Sequence, residues 1–265
     1  MKITYLNNNS KFDSKGKALA LGFFDGIHRA HMKILKQTID IAEYNHIKSA
    51  MITFDTSVAC FVRNQKFRYL TSNDDKISIA KEIGFDEIVF IEVNQAFCDV
   101  SKEDCCKLLF DDADFLVCGF DFSFGQYAAG DVAYLEEKYG DKVVAIDEMK
   151  IDGIKVGSQA IKKALSEGDL YLARVMLKRD YLVKGLLHKR NKNYSLSVSD
   201  YFLPKNGKYE IIVRGLEGEV TINAKIKFIE DESVILIKDL DDSHKLDKLE
   251  TKKVHDVIFT KTSSK

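Results

Sequence analysis

From Lys17 to about Lys178 the chain alternates short apolar runs with stretches of helical period, the signature of a parallel sheet crossed by helices. The runs fall at Lys17–Leu21, Lys48–Phe54, Glu87–Glu92, Asp114–Cys118 and Lys142–Ile146. Helical spacing occupies the intervals between them, near Ala30–Asn45, Asn73–Ile83, Lys102–Asp111 and Asp131–Tyr139. Strand and helix in strict alternation predict a doubly wound, Rossmann-like α/β domain.

Beyond the fifth run, Ser158–Ser166 and Asp169–Lys178 read as two further helices, broken at Glu167-Gly168 because glycine ends helices readily. The pattern then changes. From Tyr181 onward, Tyr209–Arg214, Glu219–Glu230, Ser233–Lys238 and Val254–Thr260 alternate apolar and polar residues at strand period. Turn residues separate them at Gly185, Pro204-Asn206-Gly207 and Gly215/Gly218. A small antiparallel β-barrel is therefore expected after the α/β domain, giving domains 1–180 and 181–265. No repeat recurs along the chain, and the only low-complexity tract is the polar end Thr262–Lys265.

With 40 Lys and Arg against 41 Asp and Glu, no whole-molecule field draws this chain to nucleic acid or to an anionic membrane, so any anion it binds must be held locally. Met1–Ser10 has no apolar signal region and no stretch approaches the ~20 apolar residues of a membrane span. A cytoplasmic protein is expected. The five cysteines, Cys60, Cys98, Cys105, Cys106 and Cys118, are odd in number and lack C-x-x-C spacing, which argues for reduced, mostly buried thiols.

Three segments carry candidate chemistry. Leu19–His31 runs from a strand through Gly22-Phe23-Phe24-Asp25-Gly26 into a helix, at the strand's carboxyl end, where open parallel sheets bind ligands. Gly22 and Gly26 let backbone approach a phosphate, and the free N–H groups of the following helix offer an anion site. His28 and His31 lie three apart, placing both imidazoles over one helical turn. Zinc ligation is the competing reading, but no third ligand stands at metal spacing, and no metal site is expected. Ordinary surface histidines would leave the glycine-flanked turn unexplained.

The second segment, Gly119-Phe120-Asp121-Phe122-Ser123-Phe124-Gly125, follows the fourth strand; its phenylalanines suit core plugs or a ligand platform. The third, Lys155-Val156-Gly157-Ser158-Gln159-Ala160-Ile161-Lys162, suits a plain helix cap, or a phosphate site with Lys162 one turn in.

Together these segments resemble the prokaryotic FAD synthetases, the bifunctional riboflavin kinase/FMN adenylyltransferases. The family's Gly-x-Phe-Asp-Gly-x-His-x-Gly-His is matched by Gly22–His31 except at Ala30, and its Gly-x-Asp-Phe-x-Phe-Gly by Gly119–Gly125, followed by Gly130-Asp131. The likeness extends over Leu70-Thr71 with Lys76 and over Glu167-Gly168-Asp169-Leu170 with Ala173. It implies transfer of an adenylyl group from ATP to FMN with Mg²⁺. His28 and His31 would touch the ATP phosphates, the residues Gly22, Phe23, Phe24, Asp25 and Gly26 would form the turn that cradles them, and Gly119, Asp121, Phe122 and Phe124 would help hold adenine and flavin. Ser158 and Lys162 would lie by the β- and γ-phosphates.

The departures are specific. Phe-x-Pro-His-Pro of the family is replaced by Phe54-Asp55-Thr56-Ser57-Val58, and Ser-Ser-Thr-x-Ile-Arg by Gly157–Lys162, which exchanges a forked guanidinium for a point charge. The family's kinase signature, Gly-Arg-x-x-Gly-x-Pro-Thr-Ala-Asn, has no counterpart after Gly185, where Leu186-Leu187-His188-Lys189-Arg190-Asn191-Lys192-Asn193-Tyr194 stands instead. Riboflavin kinase activity is therefore not expected. Two alternatives stay open at this point: a flavin- or nucleotide-binding regulator without catalysis, and a nucleotidylyltransferase acting on another phosphorylated acceptor.

Overall fold

A computed structural model describes residues 1–7, 10–190, 193–229, 232–237 and 243–262. Two compact units emerge: residues 1–67 with 72–150, and residues 68–71 with 151–265.

The first unit is built on a six-stranded, wholly parallel sheet. Its strands are β1 (Lys2–Leu6), β2 (Lys17–Leu21), β3 (Lys48–Phe54), β4 (Glu87–Ile91), β5 (Phe115–Gly119) and, after two short strands β6 (Ser123–Phe124) and β7 (Gly130–Asp131), β8 (Val143–Ile146). They lie in the order β1-β4-β3-β2-β5-β8. The helices of this unit are α1 (Arg29–Tyr44), α2 (Val58–Val62), α3 (Asn73–Ile83), α4 (Gln95–Cys98), α5 (Lys102–Leu109) and α6 (Val132–Tyr139).

Alternation along the central strands divides the core. Leu19 and Leu21 of β2 join Ile52, Val89, Leu109 and Leu116 on one face, whereas Ala20 joins Leu35, Met51, Ala80, Ile88 and Val117 on the other. Both faces are apolar, as a strand covered by helices on two sides requires. The five sequence-expected strands and the four sequence-expected helices are all present, each within a residue or two of its expected limits.

β1 was not anticipated. Lys-Ile-Thr-Tyr-Leu is exposed over most of its length and carries no clear period, yet it pairs in parallel with β4 from Lys2↔Glu87 to Leu6↔Ile91. Glu87 is buried here, with Lys2 Nζ at 2.9 Å, Lys17 Nζ at 3.7 Å and the Thr4 hydroxyl donating at 2.6 Å. Burial pushes the Glu87 carboxyl up, but the Thr4 hydrogen bond and the two lysines outweigh it and hold the group below its ordinary 4.5.

From Ile151 the second unit runs through the hairpin of β9 (Lys150–Ile151) and β10 (Ile154–Lys155) into α7 (Ser158–Glu167) and α8 (Leu170–Leu177). The barrel follows, formed by β11 (Tyr181–Arg190), β12 (Asn193–Val198), β13 (Gly207–Gly215), β14 (Gly218–Ile229), β15 (Glu232–Ile237) and β16 (Val254–Thr262). It closes in the order β11-β12-β15-β14-β13-β16, every pairing antiparallel. Closure removes the open edges that a six-stranded sheet would otherwise present. Tyr209, Ile211, Val213, Leu196 and Phe259 fill its interior.

α8 packs on β11 and β16, so the two helices group with the barrel, and the units divide near residue 150 where the sequence pattern suggested 180. The reason is Leu170, Ala173, Met176 and Leu177, an apolar stripe buried on α8. The strand limits expected at Glu230 and Lys238, together with Asn191, Lys192 and the tail beyond Thr262, lie outside the described residues.

Because the folded Glu87 carboxyl sits below its ordinary range, the stability it contributes is present above pH 4.5 and is lost as the pH falls through the lower folded value. Glu87→Gln should flatten the acid limb of the stability profile, read by urea unfolding across the acid range. An unchanged limb would show that this cluster does not anchor β1.

Candidate active site

β2 has β3 on one side and β5 on the other, so the chain leaves β2 in one direction and returns to its opposite flank for β5. That reversal opens a crevice beyond the carboxyl ends of the two strands. Leu21 pairs with Cys118, so the segments starting at Gly22 and Gly119 leave the sheet side by side.

The turn after β2 is conformationally costly. Phe24 has φ 54°, Gly26 φ 90° and Ile27 φ 36°. Glycine takes such angles freely, but a β-branched isoleucine there is an outlier, and the phenylalanine is strained by roughly 1–2 kcal/mol. Burial offsets the strain: Phe24 and Ile27 are both fully enclosed in the core against α1. The same packing favours glycine at position 22, since a Cβ there would lie 3.0 Å from the Phe24 ring and the buried ring would have to give way. Asp25 is buried within the turn.

The turn delivers His28 as the N-cap of α1. Its Nδ1 accepts the His31 backbone N–H at 3.3 Å, which places the His28 ring proton on Nε2 when the ring is neutral. The His28 and His31 rings stack with centroids 3.6 Å apart and planes at 20°, and the Phe24 ring meets His31 edge-on at 5.2 Å. His28 is thus not inside the helix, as its three-residue spacing suggested, but one position before it. His31 retains some exposed surface, while its Nδ1 is buried with no hydrogen-bond partner among the described residues. Burial, the neighbouring His28 ring and Lys76 hold the His31 imidazole well below its ordinary 6.5.

Beyond the strand ends opens a cavity of about 1020 Å³. Gly22 and Phe23 form one side of it, Phe122 and Phe124 another, and Ser57, Phe61 and Phe97 of the short-helix segments a third. Phe124 is buried against Phe110 and stacked with Phe122 at 5.7 Å, so of the two readings left open for this loop, core plug describes Phe124 and cavity wall describes both rings. Gly130 exists to admit Phe124: an added Cβ would fall 2.6 Å from its ring. Asp121 is exposed beside Gly119.

Ser158 and Lys162 lie in the second unit, on α7. Of the Gly157-Ser158 pair expected to cap this helix, Gly157 is the N-cap, without a side-chain hydrogen bond, and Ser158 is the first helical residue. Lys162 Nζ stands 5.9 Å from the Phe202 ring centroid. Three cysteines are buried and two, Cys60 and Cys98, are half-exposed at the cavity. Among the described residues no cluster of three or more His, Cys, Asp or Glu side chains could hold a metal ion, and no helix is long and apolar enough to cross a membrane.

Motif reading did not assign a role to Lys76 or Thr53. Lys76 had a visible signal, because it shares the inward stripe of α3 with Ala80 four residues on, a position where lysine is out of place. Thr53 had none, being one more β-branched residue in a buried strand.

A strained, glycine-opened turn ending in two stacked imidazoles thus stands at a topological switch point of a Rossmann-like sheet, beside an apolar cavity, where a helix N-terminus suits an anion. The FAD synthetase family model matches residues 10–160. Bifunctional riboflavin kinase/FMN adenylyltransferases align as well: 29% identical over 88% of this chain and 82% of the Listeria monocytogenes protein, and 25% over 82% and 73% of the Bacillus subtilis protein. A Buchnera aphidicola protein of the same description is 30% identical over 72% of this chain and 64% of its own length. A crystal structure described as a macrolide-efflux protein from Streptococcus pneumoniae covers 100% of this chain and 93% of that one with a TM-score of 0.83; at 16% identity this is a likeness of fold alone. The chain belongs to the FAD synthetase family, nucleotidyltransferases with FMN adenylyltransferase activity.

Two roles of His28 are separable. His28→Ala removes both the cap and the ring, and loss of a cap costs about 1 kcal/mol of stability. His28→Asn should recover most of that stability, since asparagine caps well, while leaving the stacked pair broken. Thermal unfolding of the three proteins measures the first effect; equal melting of the two variants would mean the cap is energetically idle.

Proposed function

We propose that this chain joins the adenylyl group of ATP to FMN, releasing pyrophosphate, and that it does not phosphorylate riboflavin. The observation that carries the reading is the position of Gly22 and Phe23: they line the apolar cavity at one end and lead at the other into the His28–His31 pair. An isoalloxazine ring in the cavity would bring the FMN phosphate to the same turn that receives a triphosphate.

The chemistry asks little of a protein base. The FMN phosphate is mostly ionised near neutral pH, and one of its oxygens can attack the α-phosphorus of ATP directly. A new P–O bond forms there as the bond from the α-phosphorus to the bridging oxygen breaks, and the electron pair leaves with pyrophosphate. The protein's task is alignment and charge stabilisation. His28, with its ring proton on Nε2, and a neutral His31 act as donors to the α-phosphate oxygens. The helix N-terminus of α1 adds a favourable dipole. Phe23, Phe24, Asp25 and Gly26 shape the cradle, while Gly119, Asp121, Phe122 and Phe124 border the ring site. Mg²⁺ would enter with ATP as part of the substrate, held largely by phosphates and water.

The kinase part of the reading rests on the segment after Gly185, where the family's Pro-Thr-Ala-Asn run does not occur. The small molecules ATP and FMN are then the partners, with no requirement for nucleic acid or membrane.

Incubation with FMN, ATP and Mg²⁺ should yield FAD and pyrophosphate, and riboflavin in place of FMN should yield neither FMN nor FAD. His28→Ala should lower turnover about 10²–10³-fold with little change in FMN binding, the usual cost of losing one preorganised donor. A yellow protein that retains flavin but forms no FAD would favour the regulator reading, and product from nicotinamide mononucleotide or phosphopantetheine alone would shift the acceptor.

A further inference from the structure

α3 turns a lysine inward. Lys76 is fully buried, in company with Ala80 on the core face of the helix, although its neighbours Asp74 and Asp75 take their places in the polar first turn. Lysine is almost never enclosed in this way unless its charge is met. Here its Nζ lies 3.4 Å from the Thr53 hydroxyl and 3.3 Å from the Phe54 carbonyl, and 4.3 Å from the centroid of the Phe23 ring. The Thr53 hydroxyl in turn donates to the Phe23 carbonyl at 2.9 Å. One ammonium group therefore touches the second residue of the strained turn twice, through its ring directly and through its carbonyl by way of Thr53.

We propose that Lys76 is a positioning residue for the two-histidine turn: a buried cation that clamps Phe23 from behind and sets the electrostatic field under His31. This rests on the adenylyltransferase reading only for its kinetic consequence; the clamp itself is a property of the protein without substrate.

The charges around it are few and identifiable. Asp25 acts on it from the turn and Asp55 from beyond the end of β3, and it acts in turn on His31 of α1. Burial pulls the Lys76 ammonium down to about 7, with Asp25 and Asp55 opposing that pull. The same ammonium acts on His31, where after burial and His28 it is the third influence lowering the imidazole. Removing the charge should therefore raise the His31 titration, the sign that follows from deleting a nearby like charge. An anion arriving at the turn should do the reverse for Lys76, favouring its charged form.

The side chains of Phe23 and Lys76 also explain each other. A half-exposed aromatic at a cavity mouth is held by a cation on its rear face, a contact worth most where water is excluded. Without that contact, the Phe23 ring and the backbone that opens onto His28 lose their fixed position.

The test uses ligand-free protein first. In the intact protein, NMR titration of the Lys76 side-chain methylene should show a midpoint far below an ordinary lysine's 10.5, and added pyrophosphate should move it upward. In Lys76→Met, the His31 ring should titrate at higher pH than in the parent. FAD formation by that variant should fall about tenfold or more in kcat, with KM for FMN within about twofold and the acid limb of the rate profile moved to higher pH. A purely structural lysine would leave the His31 titration and the profile where they are.

Should Lys76→Met fail to fold, Thr53→Val keeps the lysine and removes the hydroxyl that relays it to Phe23; the same kcat loss, smaller in size, is expected. Lys76 titrating as an ordinary exposed lysine, a His31 midpoint unmoved in Lys76→Met, or an unchanged kcat in Thr53→Val overturns the proposal. If the parent makes no FAD at all, the functional reading fails while the ligand-free titrations still decide the clamp.

Discussion

The turn from Phe24 to Ile27 is held in backbone conformations that its side chains disfavour, and everything proposed for this protein hangs from it. Two residues other than glycine occupy positive φ within four positions, an expense of a few kcal/mol before any contact is made. The compensation is local and complete: both side chains are swallowed by the core between α1 and the sheet. Placing Phe24 there takes away the space a Cβ would need at Gly22, and capping by His28 fixes the start of α1. The histidine pair is therefore rigid for the same reason that the turn is strained. Its geometry is not carried by a flexible loop but by the packing of the domain.

Much of this architecture is legible along the chain. Five of the six parallel strands announced themselves as short buried runs, because a strand covered on both faces has to be apolar throughout. β1 escaped for the opposite reason: an edge strand that is half solvated has little periodicity, and what recruits it is the buried Glu87 meeting Lys2 and Thr4, a tertiary contact invisible along the chain. The barrel's β11 and β12 are likewise absorbed into a general strand-rich region, since Leu182 and Leu186 put apolar residues at the partly exposed positions of β11 and blur in sequence an alternation that its burial keeps. The helices of residues 158–177 sit with the barrel because α8 buries a stripe on it, which no local signal specifies.

At the site, glycines and histidines were legible because each answers to a local requirement of turn or cap. The residues that hold them were not. Thr53 looks like any strand residue, and Lys76 reads as misplaced rather than as useful until the ring of Phe23 is seen in front of it. The two faces of the sheet divide the labour. The histidines grow out of the core that contains α1 and α3, the cavity out of the core that contains α5, and Gly22-Phe23 is the thin partition where the two meet.

The outer wall of the cavity is of another kind. α2 has five residues and α4 four, too few to hold helical structure by their own hydrogen bonds, and neither buries a side chain fully. Segments like these keep their form only through what they lean on, and much of their surroundings is empty space. For such a wall, a guest that touches Phe61 and Phe97 adds support that neither helix finds in its own backbone. Affinity for whatever enters would then depend on how far it reaches toward these two rings.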